Sequence, residues 1–442
     1  MGNAMNTAFR GLCASLLFLT QAYAAEGVKK TVEPKIPLPQ AYAAESSEKA
    51  TESEVLLTQA DDAEESDKKI AEPKNASKPV CGSLPRSWID IDYIFWKVED
   101  APEPVPLIVN LPDPIPTDVL NLPNTNIVLG GKDVDLGWRS GGRFDVGYRF
   151  GSSRVFGLEA NYFFLPLASK KKTVQSADNL ASPYFYVPYF DAQTNIEDSA
   201  TIAQSGNYGG PLSLKITNKV QGAELNGLGS VFCRESGNVD VLGGFRYLNF
   251  KENLLFSTST PYLPGSGTPV DTFQTKDQFD TKNNFYGAQL GVKAEYIKNW
   301  FFLNATGKLA LGAVCGQVHI KGIFHTNDFN GGATTYEGAY FALPTNNGFY
   351  RKNRFSVIPE VNANFGFKLS SLVRLQLGYM FMYITNVFRP GKQIDREINP
   401  SQSGPIQVQP SPPLVGVAKP QALMKTTNLW IQGANAGLEF RF

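Results

Sequence analysis

The chain has two histidines, His319 and His325, and they are the first candidates for acid–base chemistry. Some barrel-shaped enzymes place a histidine beside an acid or a hydroxyl group at the rim, so the pair suggests a hydrolase, although such groups are recognised by geometry. Two positions six residues apart on one strand share a face but lie roughly 20 Å apart, at a rise of about 3.3 Å per residue. They could not bind one metal ion together. We therefore expect polar lumen or loop histidines, with no catalytic site, no metal and no cofactor.

The cysteines suggest no metal site either, because the sequence contains no CxxC motif. Cys13 lies in a segment that is typical of a cleaved signal, which leaves Cys81, Cys233 and Cys315 in the mature chain. Three is an odd number, so at least one thiol is unpaired or pairs between chains. The spacing does not specify which of them pair.

Charged residues form a larger group, and they lie in segments where polar and apolar side chains alternate. Lys293 and Glu295, for example, alternate with Leu290, Val292 and Tyr296. This alternation predicts β-strands with one apolar and one polar face. A charged second face is difficult to fit into a sandwich core, whereas the wet lumen of a membrane barrel accommodates it.

The candidate pore-lining residues share this second face, and they are Arg143, Asp145, Arg149, Glu159, Arg246, Lys293, Glu295, Lys308, Glu360, Lys368, Arg374, Glu439 and Arg441. Their slight positive excess is too weak to specify ion selectivity. The alternative interpretation is that neighbouring cross-strand ion pairs rigidify a nearly filled barrel. At about twelve strands a lumen can be open or occluded by loops, since barrel width increases with strand number.

The elements that carry these residues are about twelve predicted strands, near 87–96, 139–150, 154–164, 212–234, 238–258, 273–281, 285–297, 301–311, 314–324, 354–368, 371–386 and 428–442. Fourteen strands would result if the two longest were each split. The short links lie at 151–153, 234–237, 282–284, 312–313 and 369–370, and the long links at 97–138, 165–211, 259–272, 325–353 and 387–427.

Short and long links alternate, which predicts an all-β fold, a transmembrane antiparallel up-and-down β-barrel with short periplasmic turns and long extracellular loops. One exception is the short link at 298–300, where an outer loop is due. Two of the long links are rich in proline, which removes ladder donors and stiffens exposed chain, so we expect loops that cannot add a strand.

The last predicted strand ends on an aromatic residue. Leu438, Phe440 and Phe442 share its apolar face, and Glu439 and Arg441 lie on the polar one. A closing strand that ends in this way resembles the last strand of bacterial outer-membrane barrels. We expect Phe440 and Phe442 to act as an assembly signal for the barrel assembly machinery, and the strand to pair with the first one.

Composition and targeting agree with this fold. The 41 basic and 41 acidic residues balance, so no basic footprint indicates nucleic acid. Helical membrane bundles need apolar runs of roughly 18 or more residues, and none occurs. Residues 1–24 read as a signal peptide, with Arg10, an apolar stretch over 12–19 and a small-residue cleavage site at 22–24. The expected location is the bacterial outer membrane.

Residues 25–85 differ from the rest, because they are rich in Glu, Lys, Ala, Ser and Pro and poor in aromatics. Such a segment cannot bury enough apolar surface to become ordered. It contains a 19-residue repeat, whose copies begin at Leu19, Leu38 and Leu57. We expect a disordered periplasmic segment, which serves either as a flexible spacer or as a contact with cell-wall material. The predicted barrel domain is 86–442.

Seven stretches occur in order through that domain: Asp90-Ile-Asp-Tyr-Ile-Phe-Trp96, Ser140-Gly-Gly-Arg-Phe-Asp-Val-Gly-Tyr148, Leu242-Gly-Gly-Phe-Arg-Tyr-Leu248, Asp280-Thr-Lys-Asn-Asn-Phe-Tyr-Gly-Ala-Gln-Leu-Gly291, Phe355-Ser-Val-Ile-Pro-Glu-Val361, Asn386-Val-Phe-Arg-Pro-Gly-Lys-Gln-Ile-Asp395 and Trp430-Ile-Gln-Gly433. Together they resemble the β-barrel porin 7 family of outer-membrane proteins. The resemblance implies an outer-membrane barrel and a porin. It supplies no catalytic residues and says little about substrate.

The sequence thus supports two functions from different classes. The first is a general porin for passive diffusion of small solutes, based on the polar face and the long outer loops. The alternative is a non-conducting surface or structural envelope protein, or an adhesin, based on the bulk of the loops, the repeats and the odd cysteine. Either would contact outer-membrane lipid and could form a homo-oligomer, and neither is an enzyme or binds nucleic acid.

Overall fold

The computed structural model describes residues 84–112, 117–175, 183–204, 206–261, 272–327, 332–407 and 413–442. The predicted signal peptide, the repeats and Cys81 lie outside these residues. Among the residues that are described, helices long and apolar enough to cross a bilayer are absent.

The described chain folds almost entirely into strands. In chain order they are β1 (Ser87–Val98), β2 (Pro106–Leu111), β3 (Asn126–Gly130), β4 (Trp138–Arg149), β5 (Phe156–Gln175), β6 (Tyr184–Asp191), β7 (Ile196–Ala203), β8 (Pro211–Arg234), β9 (Gly237–Pro261), β10 (Thr272–Lys298), β11 (Phe301–Asn327), β12 (Ala333–Glu337), β13 (Gly348–Lys368), β14 (Val373–Phe388), β15 (Glu397–Ile398) and β16 (Thr426–Arg441). Short 3-10 helices at Pro390–Gln393 and Pro400–Gln402 and one turn of α-helix, α1 (Gly404–Gln407), lie between β14 and β16.

Ten of these strands close into a ring. The sheet order is β10-β9-β8-β5-β4-β1-β16-β14-β13-β11, and β10 pairs with β11 to complete it. Every ladder in the ring is antiparallel, and β12 extends the sheet by pairing with the end of β11. The predicted all-β, antiparallel up-and-down barrel is therefore confirmed.

The predicted boundaries need correction in the middle of the chain. The links expected at 282–284 and 312–313 are strand, because β10 and β11 each run for 27 residues without interruption. Asn283 and Gly312 resemble turn residues in the sequence, but each is paired across the ladder, with Phe250 and Gly287 respectively. Pairing along both edges keeps these segments extended, whatever their local preference.

This correction also removes the exception in the loop pattern. With β10 and β11 continuous, the short link at 298–300 falls where a short turn is due, and Asn299 adopts the positive φ of 55° that a tight turn uses. Short turns now lie at one end of the barrel and long connections at the other, without exception in the ring.

The long connections are not simple loops, which corrects the prediction for them. Strands β2, β3, β6, β7 and β15 come from three different long connections and form a second sheet of five strands. Strand β2 can form in a proline-rich link because its proline, Pro106, is the first residue of the strand. A proline there removes no hydrogen bond from the middle of the ladder. We call this second sheet the cap.

The two faces of the barrel wall follow the predicted alternation. Ile89, Ile91, Tyr93 and Phe95 of β1 are 43–55% exposed, whereas the intervening Ile94 is fully buried. The exposed set belongs to an apolar belt around the outside, near the short-turn end, which faces lipid in barrels of this kind. The main apolar core lies inside the long-connection half, where inward barrel residues pack with one side of the cap.

The last strand pairs with the first in the register that closes the ring, with Ile91 opposite Leu438. The backbone of Phe442 extends this seam: its N–H donates to the Ser87 carbonyl at 2.8 Å, and its carbonyl accepts from the Arg86 and Ser87 amides. The predicted pairing of the two ends is confirmed. The assembly role of Phe440 and Phe442 stays a prediction.

Deleting Phe442 removes these closing hydrogen bonds together with the terminal aromatic side chain. We expect a several-fold lower amount of folded, heat-modifiable protein in the outer-membrane fraction, because the seam between β1 and β16 forms less readily. The matched control is Phe442→Tyr, which keeps the backbone and the ring and should assemble normally. Membrane levels of the deletion variant equal to wild type would refute the assembly role.

Candidate functional site: the barrel interior

The interior of the barrel is the candidate site, because the charged residues predicted from the sequence converge there. By strand register, all of the candidate pore-lining residues lie on the inward face, and most of them are buried. They are not lined up along open water. Instead they form a layer of ion pairs near the short-turn end of the barrel.

The centre of this layer is Arg246 of β9. Its guanidinium donates a short hydrogen bond to Glu360 of β13 and lies 3.6 Å from a carboxylate oxygen of Glu224 on β8. Lys308 of β11 joins the same two acids, with its Nζ 2.7 Å from Glu224. Two cations and two anions from four strands therefore neutralise one another across the barrel. Arg246 and Glu224 are almost inaccessible to solvent.

A second cluster lies at the short-turn end, next to the seam. Arg374 and Arg441 each donate to Glu295 at 2.6 Å, and Arg441 also donates to Glu439 at 2.6 Å. Glu295 belongs to β10, on the opposite wall from the seam strand β16. These bonds therefore cross the barrel and fix the position of the closing strand.

The remaining candidates, apart from Lys368, have partners on neighbouring or facing strands. Arg143 binds Asp92 at 2.6 Å, Arg149 binds Asp240 at 2.6 Å and Lys293 binds Glu159 at 2.8 Å. Asp145 accepts a hydrogen bond from Asn161 at 2.6 Å. Lys368 is half-buried, and within the described residues it forms no ion pair.

Four inward acids of the charged layer were absent from the predicted set: Asp90, Asp92, Glu224 and Asp240. The alternation that predicts Ile89 and Ile91 on one face places Asp90 and Asp92 on the other, so the signal was present in the sequence. These acids offset the slight positive excess of the candidates. The interior charge is balanced rather than selective for one sign.

The charged layer contains small polar cavities, two of them of about 40 and 30 Å³. About 40 Å³ is enclosed between residues that include Asp90, Asp145 and Lys293. One carboxylate oxygen of Asp90 and one of Asp145 are buried there without a protein partner. A polar cavity of this size holds one or a few water molecules, which would satisfy these oxygens.

Above the charged layer the interior becomes apolar. Trp96, Phe250, Phe285 and Phe388 are among the largest side chains that are fully buried. A side chain that lines an open aqueous lumen would be exposed, so these rings fill the barrel. The ring of Phe388 lies directly on Gly316 of β11, where a Cβ atom would come within 2.1 Å of it.

Segments of the long connections complete the filling, and side chains of the inner wall hold them by their backbones. Asp277 of β10 accepts hydrogen bonds from the amides of residues 340, 341 and 342, two of them at 2.7 Å. Asn283 brackets Phe388 by donating to its carbonyl and accepting from its amide, both at 2.8 Å. The sequence did not show which loops fold into the barrel, and these buried segments are those parts.

Arg389, the next residue, is fully buried and forms a bidentate ion pair with Glu252 of β9, at 2.7 and 2.9 Å. Its guanidinium also donates to the backbone carbonyls of Glu99 and Asp100 in the loop after β1. We refer to Glu252, Asp277 and Asn283 as the wall clamps. They fix two different connections inside one barrel.

The histidines lie elsewhere. Inward positions on β11 are even-numbered, so both histidines point outward. The expectation of histidines in the lumen is therefore wrong. His319 lies 3.4 Å from Asp280, and His325 bonds Thr335 at 2.8 Å. Cys233 and Cys315 are both disulfide-bonded.

Comparison with known proteins supports the fold. The model of the beta barrel porin-7 family matches residues 88–442. No curated protein matches the chain. Among solved structures, the outer-membrane protease OmpT from Escherichia coli is 9% identical, with 80% of this chain and 96% of that chain covered and a TM-score of 0.36.

Two further solved structures also match the chain. The deletion mutant of the monoaromatic hydrocarbon channel TodX is 7% identical, with 83% and 93% of the chains covered and a TM-score of 0.23. A FadL homologue from Pseudomonas aeruginosa is 9% identical, with 80% and 90% covered and a TM-score of 0.19. At these values the similarities to solved structures carry no argument about this chain.

Removing the central cation tests the charged layer. Arg246→Met leaves Glu224 and Glu360 buried with only Lys308 to neutralise them, so we expect the free energy of unfolding to fall by about 3 kcal/mol. Lys368→Met removes an inward cation that has no ion pair, and should change it by less than about 1 kcal/mol. Urea titration of protein folded into lipid vesicles measures both. Equal effects of the two variants would show that the pairing is unimportant.

The loop after β1 contains a pH-sensitive group. Glu103 is fully buried against Gly391 of the first 3-10 helix. Burial raises the pKa of its carboxyl group well above the ordinary range, and the Val105 amide and Lys392 only partly oppose this shift. The carboxyl group of Glu103 has a pKa of about 4.3 in the unfolded chain and a higher pKa in the folded chain. The packing of the loop is therefore most stable below about pH 4.3 and weakens as the pH rises toward the folded-state pKa.

Glu103→Gln has a side chain of the same shape that stays neutral at every pH. We therefore expect the variant loop to keep its packing stability as the pH rises. In wild type, hydrogen exchange of residues 99–112, corrected for the intrinsic rate, should be faster at pH 8 than at pH 5. The variant should be equally protected at both. The exposed-acid variant Glu235→Gln, in the short turn between β8 and β9, should behave as wild type. A wild-type loop with the same protection at both pH values would contradict the prediction.

Proposed function

The chain belongs to the beta barrel porin-7 family of outer-membrane proteins, and from this premise we propose that it is a closed, non-conducting barrel that anchors a rigid structure at the cell surface. The observation that carries the proposal is the filled interior. A balanced layer of ion pairs closes the periplasmic half, and a packed apolar core closes the extracellular half.

Strand number gives the physical reason. A barrel of about eight strands has an interior just wide enough for side chains, whereas the aqueous channels of porins need about 16 to 18 strands. A ring of ten lies near the filled end of this range. Any solute would have to break the bonds of Arg246, which are buried and lack competing water, so diffusion through this state is strongly opposed.

The cap supports a surface role. It joins three long connections into one sheet, with one face on the barrel core and the other covered by a second small core of Val109, Leu111, Val119 and Tyr186. Loops that served only to surround a pore would not need two cores. For residues 25–85 the proposal keeps both alternatives from the sequence, a flexible periplasmic spacer or a contact with the cell wall.

A general porin remains the second candidate, favoured by family membership and by the small number of wall clamps. If the connections leave the barrel together, the clamps are the bonds that break. This alternative predicts a gated pore rather than a permanently open one.

Planar-bilayer recording and liposome swelling of the purified full-length protein test the proposal. We expect no discrete conductance steps and no swelling with small sugars, in preparations shown to be folded by heat-modified gel mobility. An open porin in the same lipid provides the positive control. Reproducible conductance steps with wild-type protein would overturn the closed state and favour the general porin.

The clamp variant Asp277→Ala with Asn283→Ala separates the two candidates further. It removes the wall bonds to the amides of residues 340–342 and to Phe388, but it leaves the Glu252–Arg389 pair and the ion-pair layer intact. The closed-barrel proposal expects it to stay non-conducting, with only faster proteolysis of the connections. Currents from the variant and none from wild type would identify a gated pore.

A further inference from the structure

A basic row crosses the outward face of the wall above the apolar belt, and it has no use in the closed barrel. Lys219 of β8 stands directly opposite Lys251 of β9, and Lys251 stands directly opposite Lys282 of β10. The same row continues through Gln317 of β11 to Arg351 of β13. Like charges directly opposite one another on a sheet are destabilising, so this arrangement is costly unless something outside the chain neutralises it.

Within the described residues, no carboxylate forms an ion pair with any of these four cations. Asp280 stands in the next row up, but its oxygens are engaged by Asn253, Gln278 and His319. Lys219, Lys251 and Arg351 are exposed. The basic charge of the row is therefore available to an external anion.

The row borders a groove of about 390 Å³ on the outside of the barrel. Lys219, Lys251 and Lys282 line it, together with the exposed apolar side chains of Leu167 and Phe349. Cations beside apolar surface suit a ligand that has an anionic part and a hydrocarbon part.

The level of the row fits a lipid headgroup. Four residues toward the periplasm on the same face, Phe355 is exposed. It shares its ladder row with the half-buried Tyr247 and the buried Tyr286, whose rings lie 5.2 Å apart. Such aromatics mark the boundary of the hydrocarbon core. Four residues at about 3.3 Å each, on strands tilted by roughly 40°, place the basic row about 10 Å above that boundary. Headgroups occupy this layer.

We propose that this row, Lys219, Lys251, Lys282 and Arg351, is a binding site for the phosphate groups of outer-leaflet lipid. The neighbouring groove takes the adjacent part of the lipid. A second like-charged pair, Lys171 opposite Lys215, lies further out on the same side and extends the basic surface. On the other side of the barrel, Lys97 of β1 is already neutralised by Asp100 and Asp135. The lipid site is therefore confined to the side of β8 to β13.

The test compares wild-type protein in dodecyl maltoside with the triple variant Lys219→Gln, Lys251→Gln and Lys282→Gln. The probe is diphosphorylated lipid A, with dephosphorylated lipid A and inorganic phosphate as separate arms. We expect wild type to bind the diphosphorylated lipid, and the triple variant to bind it on the order of 100-fold more weakly, since each surface cation contributes roughly fivefold toward anionic lipid. Microscale thermophoresis measures the dissociation constants.

The matched control is Lys132→Gln with Lys298→Gln and Lys425→Gln, which removes the same charge from exposed positions elsewhere, including the periplasmic end of β10. It should bind as wild type does, and heat-modified mobility should show that every variant is folded. An equal loss in the control triple, or unchanged binding in the row triple, overturns the site. Equal binding of the dephosphorylated lipid overturns the role of phosphate. Competition by millimolar inorganic phosphate alone would assign the row to free anions and overturn the lipid assignment.

Discussion

The narrow ring is the constraint on which the rest of the structure depends. Every backbone group at membrane depth must be bonded within the protein, so the strands have to close into a barrel. Ten strands close around an interior with little space for water. A charge that points inward can then be tolerated only beside an opposite charge, because its hydration has been lost. The pairs formed by Arg246, Lys308 and Arg441 follow from this requirement, and a wider barrel would not impose it.

The same constraint explains how the long connections are held. A segment that enters the barrel brings its own backbone amides and carbonyls, which would be costly if they were left unbonded. Asp277 and Asn283 supply these missing partners from the wall, and Glu252 neutralises the one guanidinium that enters with the segment. The inserted segments therefore continue the hydrogen bonding of the wall, and the filling is specific rather than a loose collapse of loops.

Much of the barrel could be predicted from the sequence, because polar and apolar side chains alternate along a strand and so show which residues share a face. Lys293 and Glu295 were placed on the polar face, and Leu290 and Val292 on the apolar one, from this pattern alone. Continuity through Asn283 and Gly312 could not be predicted, since it depends on ladder partners that are distant in the chain. The ion-pair partners could not be predicted either, because they are distant in the chain: Arg246 and Glu360 are 114 positions apart. The cap needs three connections to meet, and none of them has a sequence pattern that specifies the others.

Strand length and belt height together locate the functional part of the molecule. A strand of 27 residues, such as β10, is about 90 Å long, and a tilt of roughly 40° gives it a height of about 70 Å. The apolar band of an outer-membrane barrel is only about 25 Å tall. More than half of β10 therefore stands beyond the hydrocarbon, where its outward face changes from Leu290 and Val292 to Lys276 and Lys282. The wall that carries the cap therefore stands above the hydrocarbon, and its outward side chains become charged at the height where lipid tails give way to headgroups and water.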